Sequence, residues 1–375
     1  MNKKILVTIF LILNILYPRN LAVEISSPSA VVICNESGRI LYNKNAKEQR
    51  KMASLTKMMT AILLVENCEM NEQITIDKRA CYIGGSEAGI KPNDNITAEN
   101  LLYGMLLPSG NDCAMAIGYH IGGTIENFAA MMNKKAKELG LEDTNFENPH
   151  GLDSENHYTS AYSMALISRY ALSYKKIRDI VATKEVTINL GSFTKQLRNT
   201  NSLLRTYDKA DGGKTGFTNG ANRCLVASAT EDNLKLIAVV LGSETSSIRF
   251  NDAKSILEDT FSKYMLYDIS NFLNIYINIP IFKGTETTYI DTYRDTKKIA
   301  LTEDEYSKIY VSENFIDKIQ APMNAGTYIG TYTVSIEDEV LYTKDFYLQH
   351  DILKKTPFDY FISNIKNMFS NLELI

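Results

Sequence analysis

Residues 213–241 read GKTGFTNGANRCLVASATEDNLKLIAVVL. Three strand-like segments stand out, Gly213–Thr218, Arg223–Thr230 and Leu234–Leu241, separated by Asn219-Gly220 and Glu231-Asp232-Asn233. Asn-Gly is a strong hairpin signal because both residues tolerate the positive φ that a two-residue turn needs. The stretch therefore predicts an antiparallel meander, with a further strand-like segment upstream at Val186–Leu190. Near the start of the chain, the apolar run Ala30–Ile33, the turn Asn35-Glu36-Ser37-Gly38 and a second strand to Tyr42 predict a hairpin.

Between these strand regions the periodicity is helical. Leu55, Met58, Met59, Ile62 and Leu63 recur at i, i+3, i+4, i+7 and i+8, predicting an amphipathic helix over Ser54–Cys68. Thr97 is a candidate N-cap for a helix that Pro108 ends after Leu107. Further helices are predicted from Asp112 to Ile121, closed by Gly122-Gly123, and over Glu126–Leu139, Ala161–Ser173 and Ser247–Phe261. Asn148–Thr159, polar and containing Pro149 and Gly151, reads as a loop. Strands, then helices, then antiparallel strands, with the chain ends meeting in one sheet, make the fold α+β rather than alternating βαβ.

The 375 residues, 45% hydrophobic and 22% charged, suit a globular protein of two domains or one domain with an appendage. With 40 basic and 44 acidic residues the formal charge is −4, which argues against nucleic acid as a partner. Lys3 and Lys4 precede an apolar run from Ile5 to Tyr17, the pattern of an export signal too short to be a comfortable membrane span. At the other end Phe358, Phe361, Ile362, Ile365, Phe369 and Leu372 share one helical face, which suits a helix lying in a membrane interface. Lys354 and Lys355 would assist at an anionic surface. Cys34, Cys68, Cys81, Cys113 and Cys224 are odd in number, lack any C-x-x-C, and read as mostly free thiols. Only four histidines are present and no H-E-x-x-H occurs, so neither a metal nor another cofactor is expected.

Three short patterns carry chemistry. S-x-x-K begins at Ser54, Ser173, Ser192 and Ser363, and S-x-N at Ser109, Ser154 and Ser312, so neither is informative by itself. Lys214-Thr215-Gly216 is the sole K-T-G. Context singles out Ser54 and Lys57, one turn apart at the start of the predicted helix. A serine hydroxyl needs a base, and a lysine serves as one only when burial, a helix N-terminus or another cation depresses its pKa. Lys214 is a candidate for that cation. Ser109-Gly110-Asn111 lies in a tight connection between two helices and can present a hydroxyl and an amide to a cleft. Gly213 and Gly216 would let another backbone, such as a peptide substrate, approach a strand edge.

The stretches ASLTKMMT (53–60), PSGND (108–112) and DGGKTGFT (211–218) resemble the serine-type D-alanyl-D-alanine carboxypeptidases, low-molecular-mass penicillin-binding proteins close to the sporulation-related Gram-positive kind. The 148–161 loop and Cys224–Ala229 are similar to the same group, and the likeness covers Ala30–Phe261, weakening beyond. The resemblance implies a β-lactamase/transpeptidase-like antiparallel sheet with a helical subdomain, followed by a small β-sandwich domain and an amphipathic terminal helix. It implies that Ser54 becomes acylated, that Lys57 is the general base and that Ser109 relays a proton to the leaving amine. Asn111 would bind the substrate amide, and Lys214 and Thr215 the terminal carboxylate, with Gly216 beside them. The N–H groups of Ser54 and Phe217 would form the oxyanion hole, and Arg249 would support the carboxylate. The implied partners are peptidoglycan pentapeptide, β-lactam antibiotics as inhibitors, and the membrane surface through the terminal helix, with the enzyme exported to the outer face of the cytoplasmic membrane or the cell wall.

Gly213, Ser163, Asn222 and Arg223 depart from the usual residues of that group, which bears on substrate preference more than on reaction type. The nearest enzymatic alternative is a class A β-lactamase, which would need Glu147 or Glu155 as a deacylating base. A transpeptidase or endopeptidase is a second alternative, and a non-catalytic penicillin-binding sensor would be expected to lack the serine or the lysine. Gly212-Gly213-Lys214-Thr215 is no P-loop, because Asp208 stands where the first glycine is required. His150 and His157 read as loop-structuring groups. The expected division is a signal segment at 1–23, a catalytic domain at 24–263, a small β domain at 264–351 and a membrane-associating helix at 352–375.

Overall fold

The computed structural model describes residues 23–370. The expected signal segment at 1–23 lies outside the described residues but for Val23, and so does Leu372 of the expected terminal helix. The chain divides into two compact units, one ending at Ser262 and the other beginning at Lys263.

The first unit is built on strands β1 (Ser29–Cys34), β2 (Ile40–Lys44), β3 (Glu185–Asn189), β4 (Thr194–Arg198), β5 (Ala210–Thr218), β6 (Asn222–Glu231) and β7 (Leu234–Ser243). Five of them form one antiparallel sheet in the order β2-β1-β7-β6-β5. The predicted meander supplies β5 to β7, and Ser29↔Leu241 through Cys34↔Leu236 join the early hairpin to it. Every residue of β1 is buried, and β7 is nearly so. These strands are therefore continuous apolar runs rather than alternating ones.

The segment at Val186–Leu190 is not part of the meander. It is β3, paired only with β4 in a separate ribbon. β4 reads Thr-Lys-Gln-Leu-Arg, with a single fully buried side chain at Leu197, too polar to register as a strand.

The longer helices are α1 (Lys57–Asn67), α2 (Ala98–Leu106), α3 (Asn111–Gly122), α4 (Ile125–Glu138), α5 (Ala161–Ser173), α6 (Lys175–Ala182) and α7 (Ser246–Lys263). Thr97 caps α2 as expected, its side chain accepting from Asn100 N at 3.1 Å. The amphipathic reading of α1 understates its burial. Lys57 through Leu64 are all buried, because α2, α3, α4 and α5 pack around it. Helix α5 also lies on β1 and β7, so α1 is held between the helical layer and the sheet core.

The second unit contains β8 (Asn274–Phe282), β9 (Thr288–Arg294), β10 (Ile309–Phe315), β11 (Tyr328–Ile336) and β12 (Glu339–Tyr347). β11 and β12 form a hairpin, and β10 pairs with β11. In β8 burial alternates, with Ile275, Ile277 and Ile279 facing a core shared with Ile329, Val334 and Phe346. Two three-stranded sheets closing on one core give the small β-sandwich. Helix α8 (Pro357–Ser370) follows.

Candidate active site

Ser54 lies in a 3₁₀ turn, Ala53–Thr56, that runs directly into α1. Lys57 is the first residue of α1 and is completely buried. Its Nζ is 2.9 Å from Ser54 Oγ, 2.7 Å from Asn111 Oδ1 and 2.7 Å from the carbonyl of His150. An ammonium donates to all three oxygens. A neutral amine has two N–H donors and one lone pair. The amide and carbonyl oxygens can only accept, so the neutral amine turns its lone pair to the Ser54 hydroxyl, as a general base must. Burial first, and then the charge of Lys214, hold the Lys57 amine well below the ordinary lysine value.

Asn111 opens α3, one residue earlier than expected from sequence. Its Nδ2 donates to the carbonyl of Gly84 at 2.7 Å, which fixes its amide flip and leaves Oδ1 toward Lys57. The next residue, Asp112, accepts from the N–H groups of Ala88, Gly89 and Ile90 at 2.9, 2.7 and 3.2 Å. That carboxylate anchors the loop that brings Gly85 and Ser86 to the cleft.

Ser109, in the α2–α3 connection, adopts φ +68, and Ala53 adopts φ +48. Left-handed backbone at a non-glycine residue costs about 1–3 kcal/mol, and here two such residues flank the reacting groups. Lys214 on β5 is buried and donates from Nζ to Ser109 Oγ at 2.9 Å and to its neighbouring Thr215 carbonyl at 2.7 Å. Burial, followed by the charge of Arg249, lowers Lys214 to about 7.

Strand β5 is the edge of the sheet. The expected open space at its glycines is filled by the chain itself. A Cβ on Gly216 would meet Ala53 Cβ and Ser54 N at 3.0 Å, and one on Gly213 would meet the Val226 carbonyl at 2.0 Å. Gly216 thus brings the serine turn against β5, and Gly213 serves the sheet. Thr215 Oγ1 shares a 2.6 Å hydrogen bond with Thr200 Oγ1. Arg249, from α7, donates to the carbonyls of Gly216 and Cys224 at 3.2 and 3.3 Å. Phe217 is half exposed, stacked under the Arg223 guanidinium at 4.6 Å.

The 148–159 loop closes another side. His157 Nδ1 accepts from Glu147 N at 3.0 Å, and its Nε2 lies 2.7 Å from Thr56 Oγ1. The Thr56 hydroxyl proton goes to the Ala53 carbonyl, so the imidazole donates from Nε2. Burial lowers His157 to about 4 and His150 to about 3, so both are neutral in ordinary buffer. Both histidines shape the loop. Glu147 receives Ser154 Oγ and the Asn156 N–H, so its carboxylate is engaged within the loop.

Ser54, Ser109, Asn111, Thr215, Gly216, Phe217 and Arg249 line a cleft of about 320 Å³, with Lys57 and Lys214 bonded directly behind it. Sequence reading did not single out Thr200, Gly85, Ser86 or Leu152, which line it too. A larger cavity, about 650 Å³ beside Arg169 and Tyr170, contains none of these groups. The cleft joins a serine, a depressed lysine, a second hydroxyl–lysine pair and an arginine. It suits acyl transfer from a substrate bearing a carboxylate.

Residues 18–245 match the family described as D-alanyl-D-alanine carboxypeptidase, and residues 274–354 the C-terminal domain of penicillin-binding protein 5. The D-alanyl-D-alanine carboxypeptidase DacF of Bacillus subtilis is 34% identical over 334 residues, covering 87% of this chain and 86% of its own. Penicillin-binding protein 5 of Haemophilus influenzae superposes with a TM-score of 0.78 at 28% identity, covering 89% of this chain and 99% of that one. The Streptomyces K15 DD-transpeptidase superposes with a TM-score of 0.62 at 32% identity, covering 64% of this chain and 99% of that one.

Proposed function

The chain belongs to the D-alanyl-D-alanine carboxypeptidase family, and from that premise we propose that it hydrolyses the terminal D-Ala-D-Ala bond of peptidoglycan stem pentapeptides through an acyl-enzyme on Ser54. The observation that carries this reading is the environment of Lys57, whose two other oxygen partners leave only its lone pair for Ser54 Oγ.

Lys57 takes the Ser54 proton as Oγ attacks the carbonyl carbon of the penultimate D-alanine. The N–H groups of Ser54 and Phe217 receive the developing oxyanion. The C–N bond breaks, and Ser109 passes a proton to the departing amine, with Lys214 behind it to resupply the hydroxyl. Lys214, Thr215 and Arg249 hold the carboxylate of the leaving D-alanine, and Asn111 the substrate amide. Lys57 then loses the proton it took to solvent and Lys214 regains one. The neutral Lys57 amine deprotonates a water that attacks the ester, and that proton goes to Ser54 Oγ as the shortened peptide leaves. A β-lactam presents a strained amide and a carboxylate to the same groups and acylates Ser54.

The N-terminal signal pattern and the apolar face of α8 support action outside the cytoplasmic membrane, with α8 on its surface. Phe358, Phe361 and Ile362 are exposed on that helix, consistent with a face kept for lipid. The direct test is labelling with fluorescent penicillin. Ser54 should carry the label in a peptide map, and Ser54→Ala should carry none. Undiminished labelling of Ser54→Ala would refute the assignment of the nucleophile.

A further inference from the structure

Helices α1 and α3 are joined at both ends. At their N-termini Lys57 donates to Asn111. Eleven residues along α1, about 16 Å at 1.5 Å per residue, Cys68 caps that helix. Nine residues along α3, about 14 Å, is His120 in its last turn. Glu72, on the turn after α1, completes the group. One ligand atom each from Cys68, Glu72 and His120 lies within 4.8 Å of the others.

We propose that Cys68, Glu72 and His120 bind a divalent transition metal of the zinc class, clamping the distal ends of the two helices that carry Lys57 and Asn111. A thiolate, an imidazole and a carboxylate form a donor set suited to zinc. With bond lengths of about 2.0–2.3 Å, a tetrahedral ion sets its donors about 3.3–3.6 Å apart. His120 Nε2 and Glu72 Oε1 are 2.8 Å apart with a proton between them, so they part by roughly half an ångström to admit the ion. Cys68 and Glu72 are only partly buried and His120 is exposed, so a water can fill the fourth position.

The electrostatics favour a cation. Both helices end here, and their C-terminal dipoles point negative charge at the site. Burial and the Glu72 carboxylate raise the Cys68 thiol to about 11, so it is protonated until an ion arrives. Binding releases that proton to solvent, and the His120 proton that faces Glu72 leaves Nε2 for Nδ1 as Nε2 takes the ion. The other four cysteines do not join a cluster of this kind among the described residues. Sequence spacing hid the site, because its third ligand comes from a different helix 48 positions beyond Glu72.

The test is a cobalt(II) titration of the reduced, purified protein, which reports a thiolate ligand as a near-ultraviolet charge-transfer band. One equivalent should saturate the band, and zinc should displace it. Cys68→Ser should abolish it. Losing even an outer-shell partner costs about 10–100-fold in metal affinity, so His120→Ala should weaken binding by at least about 100-fold. Zinc should also raise the melting temperature of the wild type and not of either variant. Penicillin labelling at the wild-type rate, with cooperative melting, shows that each variant is folded. His120→Ala decides the matter should Cys68→Ser fail to fold. Absence of the band in the wild type, its survival in Cys68→Ser, or wild-type affinity in His120→Ala would overturn the proposal. None of these readouts depends on peptide hydrolysis.

Discussion

Lys214 and Ser109 stand 105 positions apart in sequence, yet the lysine ammonium donates to the serine hydroxyl at 2.9 Å. The pair faces the Ser54–Lys57 pair across one cleft. Each hydroxyl thus has its own lysine, and in the proposed mechanism one removes a proton and the other supplies it.

That division makes Ser109 separable from the nucleophile. Ser109→Ala removes the relay while leaving Ser54 and Lys57 in place. Loss of one positioned acid or base typically costs about 10²–10⁴ in rate. We expect kcat for D-alanine release to fall by that amount, with KM changed less than about threefold. Steady-state kinetics on a pentapeptide would show it, and an unchanged kcat would remove Ser109 from the pathway.

The two lysines must hold opposite charge states. Activity should rise with pH as Lys57 loses its proton. It should fall as Lys214, near 7 in the free enzyme, loses the charge that pairs with a carboxylate. The kcat/KM profile, which reports free enzyme, should therefore bend downward above about 7. A bound carboxylate favours the charged lysine, so the alkaline limb of kcat should lie at higher pH. The Arg249 charge depresses Lys214, so Arg249→Met should move the alkaline limb of kcat/KM upward while raising KM. A limb that stays in place would dissociate it from Lys214.

Gly151 has φ +90, and a Cβ there would meet the Ala53 carbonyl at 2.0 Å. Its neighbour His150 supplies a carbonyl to Lys57. Gly151→Ala should therefore destabilise the protein by at least about 2 kcal/mol, through strain and overpacking together. It should also suppress penicillin labelling. Gly140 shares the left-handed backbone, at φ +73, with nothing within 4 Å. Gly140→Ala should lower stability by about 1 kcal/mol and leave labelling intact. Equal thermal shifts in the two variants would show that the contact with Ala53 is unimportant.

Deleting residues 357–375 removes α8 and its exposed Phe358 and Phe361. Sedimentation with anionic lipid vesicles should drop at least about tenfold, with penicillin labelling unchanged. Equal sedimentation of the truncated and full-length proteins would contradict membrane association through this helix.

The sheet was legible in sequence because Asn219-Gly220 marks a turn and the long apolar runs of β6 and β7 are local signals, although the connection is three residues long and the positive φ falls on Asn222 rather than on Asn219 or Gly220. The ribbon of β3 and β4 was not, since β4 has one apolar residue, Leu197, and so no apolar/polar alternation in residue type. Lys57 could be paired with Ser54 because they are one turn apart. The partners that orient Lys57, the carbonyl of His150 and the amide of Asn111, come from distant segments. A backbone carbonyl leaves no signature in residue type. Thr200 was missed for a similar reason, since only the fold sets its hydroxyl against Thr215. Gly216 was noticed for its missing side chain, but the occupant of the space proved to be the serine turn.

The most direct test of the central claim is mass spectrometry of a stem pentapeptide incubated with the purified enzyme and with Ser54→Ala. The account predicts loss of one D-alanine, giving free tetrapeptide, with the wild type alone. Cross-linked peptides as the only product, or the same release by Ser54→Ala, would contradict it.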